Sequence, residues 1–457
     1  MKKIISILLI CLVLTSCFAL CACNESEKEY IEDGATVVTF YAREFEDWSN
    51  KHLKKLVNEF NSNLNDGIQV KLKFYGEDTY IEALKVAREN GKAPDIYMST
   101  YADIYSLIVG KHIAPLNNYL SDEAVDDMME ATKEMVTYNG NIYAYPWNVE
   151  PATLLFYRKD LLQEAKVNKI PTTWDELYDA LAALKKQRNL GEYCLGLPLG
   201  SGELGWVTYG MQQNTTGGLA LDDSWTKSRL DQSGFKDLAE FFYKIYVNDY
   251  SPNAALVNKG YTYIVDALCD GKLAMTFAGS WCIAEIYDYA PSMVDKIGIA
   301  PIPTKDGDSS KATSSNGGWS YCMSEESKHK EKAAAFLNWM FTESAERTAQ
   351  YFIKAHNSKA PTSKSVKEYL DTHSGEVPSE WANVVNDVAS KAICEATYSW
   401  DIALEVGKIF ENMQINCKDM AFPELYAQAL QTAQSNIALI MTRANYMTNP
   451  KYQPATR

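Results

Sequence analysis

The chain of 457 residues is poor in the groups that usually carry chemistry. It has five histidines (His52, His112, His329, His356 and His373) and no HExxH pair, so a histidine-built metal centre has little to draw on. It has ten cysteines, four of them in the first 23 residues; the others are Cys194, Cys269, Cys282, Cys322, Cys394 and Cys417, none in a CxxC pair, which leaves zinc ligation without support. An exported chain can form disulfides, but spacing alone assigns none. There is no GxSxG elbow, no Walker A loop and no dinucleotide glycine fingerprint. Carboxylates are plentiful, yet nothing in their spacing singles out the pair a glycosidase needs. No stripe of lysine and arginine offsets the 44 basic and 59 acidic residues, net −15, which argues against a nucleic-acid partner. Beyond the N-terminus no apolar run approaches membrane length. The expectation is therefore no catalytic residue, no metal and no cofactor.

What is present begins at the N-terminus. Lys2 and Lys3 precede an apolar run from Ile4 to Leu14, then cysteines at Cys17, Cys21 and Cys23, then the polar segment Asn24-Glu25-Ser26-Glu27-Lys28-Glu29. This is the pattern of a bacterial export signal. Leu20-Cys21-Ala22-Cys23 resembles a lipobox, as does Leu14-Thr15-Ser16-Cys17; Cys23 is favoured because the polar segment follows it directly. Residues 1–22 are expected to be a lipoprotein signal peptide, Cys23 the lipid-bearing residue, and 23–35 a flexible tether at the membrane surface.

The remainder is too long for one small core and suits two domains. Val37 to Tyr41 reads as a buried strand. Ser49 is placed to cap a helix whose apolar face is Leu53, Leu56, Val57 and Phe60. Asn65-Asp66-Gly67 is a turn, Ile68 to Phe74 alternates as a strand does, 79–90 is helical, Gly91 stops it, and Pro94-Asp95-Ile96 opens another strand. The alternation predicts an α/β domain with a largely parallel sheet. Leu154 to Tyr157, Leu273 to Phe277 and Ile297 to Ala300 are further strands. Thr173 and Glu176 have capping-box spacing, and Trp174 at that helix start reads as packing. The last hundred residues are mostly helical by pattern.

The unusual surplus is aromatic: 29 tyrosines and 10 tryptophans. Several fall in what read as turns at strand ends: Asn141-Ile142-Tyr143-Ala144-Tyr145-Pro146-Trp147, Gly279-Ser280-Trp281 and Asn316-Gly317-Gly318-Trp319. Ligands of open α/β sheets sit beyond the carboxyl ends of strands, where a ring can stack on the apolar face of a sugar. Tyr145, Trp147, Trp281 and Trp319 are candidates on this ground.

Five blocks, in order, resemble the extracellular solute-binding proteins of carbohydrate-uptake ABC transporters, the group that includes maltose-binding protein. They are Gly91-Lys92-Ala93-Pro94-Asp95-Ile96; Tyr145-Pro146 through Val149-Glu150 to Tyr157-Arg158-Lys159-Asp160-Leu161; Thr173-Trp174-Asp175-Glu176-Leu177; Gly271-Lys272-Leu273-Ala274-Met275 leading into Gly279-Ser280-Trp281; and Lys330 to Thr342. The resemblance implies ligand contacts from Glu150 to sugar hydroxyls, from Trp281 and Trp400 by stacking, from Tyr41 or Glu44 after the first strand, and from Ser99 and Tyr101 after the third. After Pro-Asp-Ile, the maltose-type proteins carry an aromatic and a charged pair; here Ser99 and Ala102-Asp103 stand nearest, a departure from the maltodextrin set.

The implied fold is α/β in two lobes joined by a hinge of two or three crossings, with the ligand cleft between them. One lobe would hold 36–147 plus 300–352 and the other 148–299 plus 353–457. The implied function is sugar or oligosaccharide capture and delivery to a membrane permease by a monomeric, lipid-anchored binder rather than an enzyme. The alternatives are an exported glycan-binding or sensor-associated surface lipoprotein, or a glycoside hydrolase. Glu150→Gln is expected to weaken binding and leave the fold intact.

Overall fold

A computed structural model describes residues 34–63, 67–189, 192–198, 200–252, 260–373, 379–443 and 446–451. The signal peptide, Cys23, all but the end of the tether, and most of the Asn65–Gly67 turn lie outside the described residues. The strands are β1 (Thr36–Arg43), β2 (Ile68–Tyr75), β3 (Ile96–Thr100), β4 (Thr137–Tyr138), β5 (Asn141–Ile142), β6 (Ala144–Pro151), β7 (Leu154–Arg158), β8 (Tyr193–Gly196), β9 (Leu273–Ala278), β10 (Ile297–Ala300), β11 (Ser315–Met323), β12 (Ala360–Pro361) and β13 (Ile393–Cys394).

Two main sheets result. The first runs β12-β6-β11-β3-β1-β2, with β13 beside β11; the second runs β10-β7-β9-β8. The sheets are mixed rather than largely parallel. β1 pairs in parallel with β2 and β3, whereas β11 lies antiparallel to β3 and β6. In the second sheet only β8 and β9 are parallel. The parallel part is the part built by strand–helix–strand alternation, which needs a crossover helix. The antiparallel strands arrive from distant chain segments, which local pattern does not show.

The first lobe forms as its periodicity requires. The helix Asp47–Asn63 buries Leu53, Leu56, Val57 and Phe60, and the Phe60 ring meets Phe336 and Trp339 at 5.0 and 5.2 Å. Ser49 is not its cap: the helix begins two residues earlier, and Ser49 is buried within its first turn. Asp95 of the Pro-Asp-Ile block is a clasp. Its carboxylate accepts from the Thr39 amide and hydroxyl, both at 2.8 Å, and from the Ser327 hydroxyl at 2.6 Å, which ties β1 to the segment after β11. In the second lobe Thr173 and Glu176 form the expected capping box. Trp174 is packed as expected, its indole N–H donating to the Pro303 carbonyl at 3.2 Å and its ring 4.9 Å from Phe241. Arg158 forks onto Asp160 and donates to the Leu268 and Cys269 carbonyls at 3.0 Å.

The lobe boundaries shift from the expected ones. Residues 300–312 belong with the second lobe: Ile302 is in its core, and the Trp174 amide donates to the Thr304 carbonyl. Residues 353–373 belong with the first, because β12 pairs with β6 and the helix Lys364–His373 buries Val366 and Leu370 in the first core. A second-lobe core on the other face of the β10-β7-β9-β8 sheet includes Leu154, Phe156, Ile283, Ile286 and Trp381. The chain therefore passes between the lobes at the end of β6, at the start of β11 and after the helix Lys364–His373, and it touches the first sheet again at β13. The six described cysteines are all unpaired.

Candidate functional site

The end of β6 is where the first core gives way to the second lobe, and charge collects there. Glu150 lies opposite Gly317 of β11, and the Ala360–Val149 and Pro361–Asn148 pairs of the antiparallel β12–β6 ladder put Lys359 on its other side. Lys359 Nζ is 2.5 Å from Glu150 Oε1 and 3.8 Å from Glu46 Oε1. Burial alone would lower the Lys359 ammonium, but the Glu150 and Glu46 charges together raise it well above the usual range.

Glu46 is held by the loop between β1 and the following helix. Asn50 closes that loop by accepting from the Phe45 amide and donating to its carbonyl, both at 3.0 Å. Phe45 thereby stands edge-on to Trp319 at 5.1 Å and to Trp147 at 6.1 Å. The Arg43 guanidinium lies over the Phe45 and Trp319 rings at 4.6 and 5.3 Å. Trp319 is half-buried, its amide donating to Asn148 Oδ1 at 3.3 Å. Gly318 lets the strands approach this closely. Its φ is +133°, and an added Cβ would lie 2.2 Å from the Asn148 carbonyl oxygen. Gly318→Ala is expected to lower stability by about 2 kcal/mol, read as a lower urea midpoint; an unchanged midpoint would show that the strand can relax.

The second lobe contributes the turn after β9. The Ser280 amide donates to the Pro151 carbonyl at 3.0 Å, fastening this turn beside Glu150. Trp281 opens the helix Cys282–Tyr289, half-buried, with its ring 6.0 Å from Trp206. Gly279 makes room for that ring, since a Cβ there would lie 2.0 Å from it. One turn on, burial and the Glu46 charge push the Glu285 carboxyl up to about 7. Beside Gly317, burial and the Asp103 and Glu150 charges push Glu395 up to about 8. The site is thus an aromatic rim over a carboxylate-rich floor with one buried ammonium. It is suited to gripping a flat, hydroxylated molecule by ring stacking and by accepting its O–H groups.

The structure brings Glu150, Trp319 and Trp281 to this junction. It places other candidates elsewhere. Tyr145 is a core residue, its ring stacked 4.3 Å from Phe341. Trp147 is buried between Phe45, Tyr321 and Tyr351 and forms the wall behind the site. Both belong to β6, every residue of which is buried, and not to a turn. The Gly317–Gly318–Trp319 segment likewise lies within β11. Tyr101 is buried beneath the floor, its hydroxyl donating to the Asn148 carbonyl at 2.9 Å. Ser99 is buried in β3, its carbonyl accepting from the Ser320 hydroxyl. Tyr41 and Glu44 lie toward β2: the Tyr41 ring is 4.9 Å from Tyr75, and exposed Glu44 sits beside Gly76. Trp400 is half-exposed at the start of the helix Trp400–Asn416, and no contact among the described residues joins it to the Glu150 cluster. Sequence reasoning missed Phe45, Glu46 and Lys359. Glu46 stands two residues beyond Glu44, a near miss; nothing local marks Lys359, which only the β12–β6 register brings to Glu150.

The chain matches the model of the bacterial extracellular solute-binding proteins over residues 48–347. It is 27% identical over 234 residues to a mannitol-binding protein of Pseudomonas aeruginosa, covering 50% of this chain and 51% of that one. The chain therefore spans about half the length of that relative. It is 25% identical over 358 residues to an arabinooligosaccharide-binding protein of Bacillus subtilis, covering 74% and 76%. Among solved structures, the GacH receptor of Streptomyces glaucescens superposes with a TM-score of 0.73 at 20% identity over 90% of this chain and all of that one; at that identity the likeness is one of fold. These relatives and fold neighbours are binding proteins rather than enzymes. Among the described residues no helix is long and apolar enough to cross a membrane. With more than half of its length matched, the chain belongs to the bacterial extracellular solute-binding protein family.

Proposed function

We propose that this protein captures a sugar or oligosaccharide between its lobes and delivers it to the permease of an ABC importer, held at the membrane by a lipid on Cys23. The observation that carries the reading is the junction itself. Trp281 from one lobe and Trp319 from the other flank a floor of carboxylates at the point where the chain crosses between lobes. Such a site makes its full set of contacts only when both lobes engage one ligand, so binding favours the closed form. The relatives named above bind mannitol and arabino-oligosaccharide, and GacH has been solved with acarbose. Their shared chemistry is polyhydroxylated and supports the carbohydrate class without choosing a sugar.

The test is a thermal-shift panel of mono- and oligosaccharides, with peptides and polyamines as controls. One glycan is expected to raise the melting temperature, since a ligand bound only by the folded state stabilises it; a shift with a peptide or polyamine alone refutes the carbohydrate assignment. Trp281→Ala is expected to weaken that glycan by about 1–3 kcal/mol, measured by calorimetric titration, and wild-type affinity would remove Trp281 from the site. Mass spectrometry of the mature N-terminus is expected to find acylated Cys23; a free, unacylated residue there refutes the anchor.

A further inference from the structure

We infer that Lys359 is a positioning residue for ligand binding: it holds the Glu46 and Glu150 carboxylates side by side as hydrogen-bond acceptors. This rests on the reading of the junction as the ligand site. Lys359 cannot itself be the contact, because its side chain is 2% exposed, whereas those of Glu150 and Glu46 keep 10% and 16%. The ammonium is sealed behind the carboxylates, with the Phe45 and Tyr351 rings 5.7 and 5.9 Å from Nζ. The sheet gives it this place. The β12–β6 register sets Lys359 across from Glu150, and the opposite neighbour, Gly317, offers no side chain.

The chemical consequence follows from what a carboxyl group can do. Two carboxylates sharing a partly buried site cannot both stay ionised without a nearby cation; one takes up a proton. A protonated carboxyl presents an O–H donor, while an ionised one only accepts. A ligand that offers hydroxyl hydrogens needs acceptors. Where no ammonium stands directly between them, the neighbouring carboxyls do move: Glu285 is pushed up to about 7 and Glu395 to about 8, by burial first and by nearby carboxylates next. Between Glu46 and Glu150 the Lys359 ammonium stands in contact with one carboxylate and 3.8 Å from the other.

The experiment compares wild type, Lys359→Met and the double variant Glu46→Gln/Lys359→Met from pH 5 to pH 8. The glycan identified by the thermal-shift panel is titrated calorimetrically, and the melting temperature is recorded without ligand. Lys359→Met is expected to bind at least tenfold more weakly at pH 7. Without ligand it should also gain stability relative to wild type as pH falls from 8 to 5, because one carboxyl of the pair then binds a proton in the folded state that it does not bind unfolded. The double variant leaves Glu150 without Glu46 but still buried and close to Glu395, and it is expected to show a smaller pH-dependent difference than Lys359→Met and to recover part of the affinity. Wild-type affinity and a wild-type pH profile in Lys359→Met would overturn the inference. So would a double variant as pH-dependent as the single one. If Lys359→Met fails to fold, the double variant carries the test, and its failure to fold as well would assign Lys359 to packing alone. If wild type binds no glycan, the carbohydrate reading fails, and the ligand-free profiles still decide whether Lys359 keeps the pair as acceptors.

Discussion

Glu150→Ala is expected to lower the stability of the folded chain by about 3–5 kcal/mol, the usual effect of removing one partner from a buried ion pair. The loss comes less from the missing attraction than from the stranded ammonium. Lys359 is almost fully enclosed, and the nearest carboxylate left to it among the described residues is Glu46, at 3.8 Å. Water cannot reach the charge to replace what the deletion removes. Glu150→Gln keeps the shape and a hydrogen-bonding oxygen but not the charge, so it too is expected to destabilise, by less. This revises the expectation drawn from sequence, in which Glu150 met only ligand and its neutral analogue left the fold intact. Urea unfolding at pH 7 measures the difference, and an alanine variant within 1 kcal/mol of wild type, a bound well below the usual cost, would show that Lys359 finds solvent or another partner.

His52 supplies the second large effect, through pH. Its ring is buried beside Tyr351, and neither ring nitrogen has a hydrogen-bond partner among the described residues. Burial, with the Lys354 and Lys55 charges adding to it, holds the imidazole down at about 4. The unfolded chain takes up this proton near pH 6.5, whereas the folded chain refuses it until about 4. Stability is therefore full above pH 6.5 and falls as pH drops through that window, by about 1.4 kcal/mol per pH unit and about 3 kcal/mol in all. Glu285 and Glu395 act in the opposite direction: their raised carboxyls bind protons in the folded state first, so they add stability as pH falls from about 8 toward the ordinary carboxylate range. The wild-type profile sums these opposing slopes. The difference between wild type and His52→Phe isolates the histidine, and the variant is expected to gain on wild type steadily from pH 6.5 to 4. Parallel profiles would mean that the imidazole is solvated or protonated in the folded state.

The blocks that identify the family were legible because their work is local or nearly so. Thr173 and Glu176 close a capping box within one turn, and Arg158 meets Asp160 two residues away. Asp95 follows a helix stop and pins the first strand. Such residues report the fold and say little about ligand. The candidate site was legible where a family block itself reaches the junction between the lobes, as Glu150 and Trp281 do. It was not legible where strand alternation decides which side of a sheet a ring occupies. Tyr145 and Trp319 look alike in sequence, yet one stacks in the core on Phe341 and the other stands beside Phe45 and Arg43.

By itself, then, the sequence determined the strand–helix alternation of an α/β chain and the export pattern at its start, because periodicity, caps and turn residues act over a few positions; the two lobes and the crossover at Glu150 were implied by the family resemblance of its blocks. The tertiary structure alone decided the mixed sheet, the allocation of 300–312 and 353–373 to their lobes, and the pairing of Lys359 with Glu150 and Glu46. These depend on the register between strands far apart in the chain. A shift of one residue there would turn Lys359 to the other face of the sheet and leave the carboxylates without their cation.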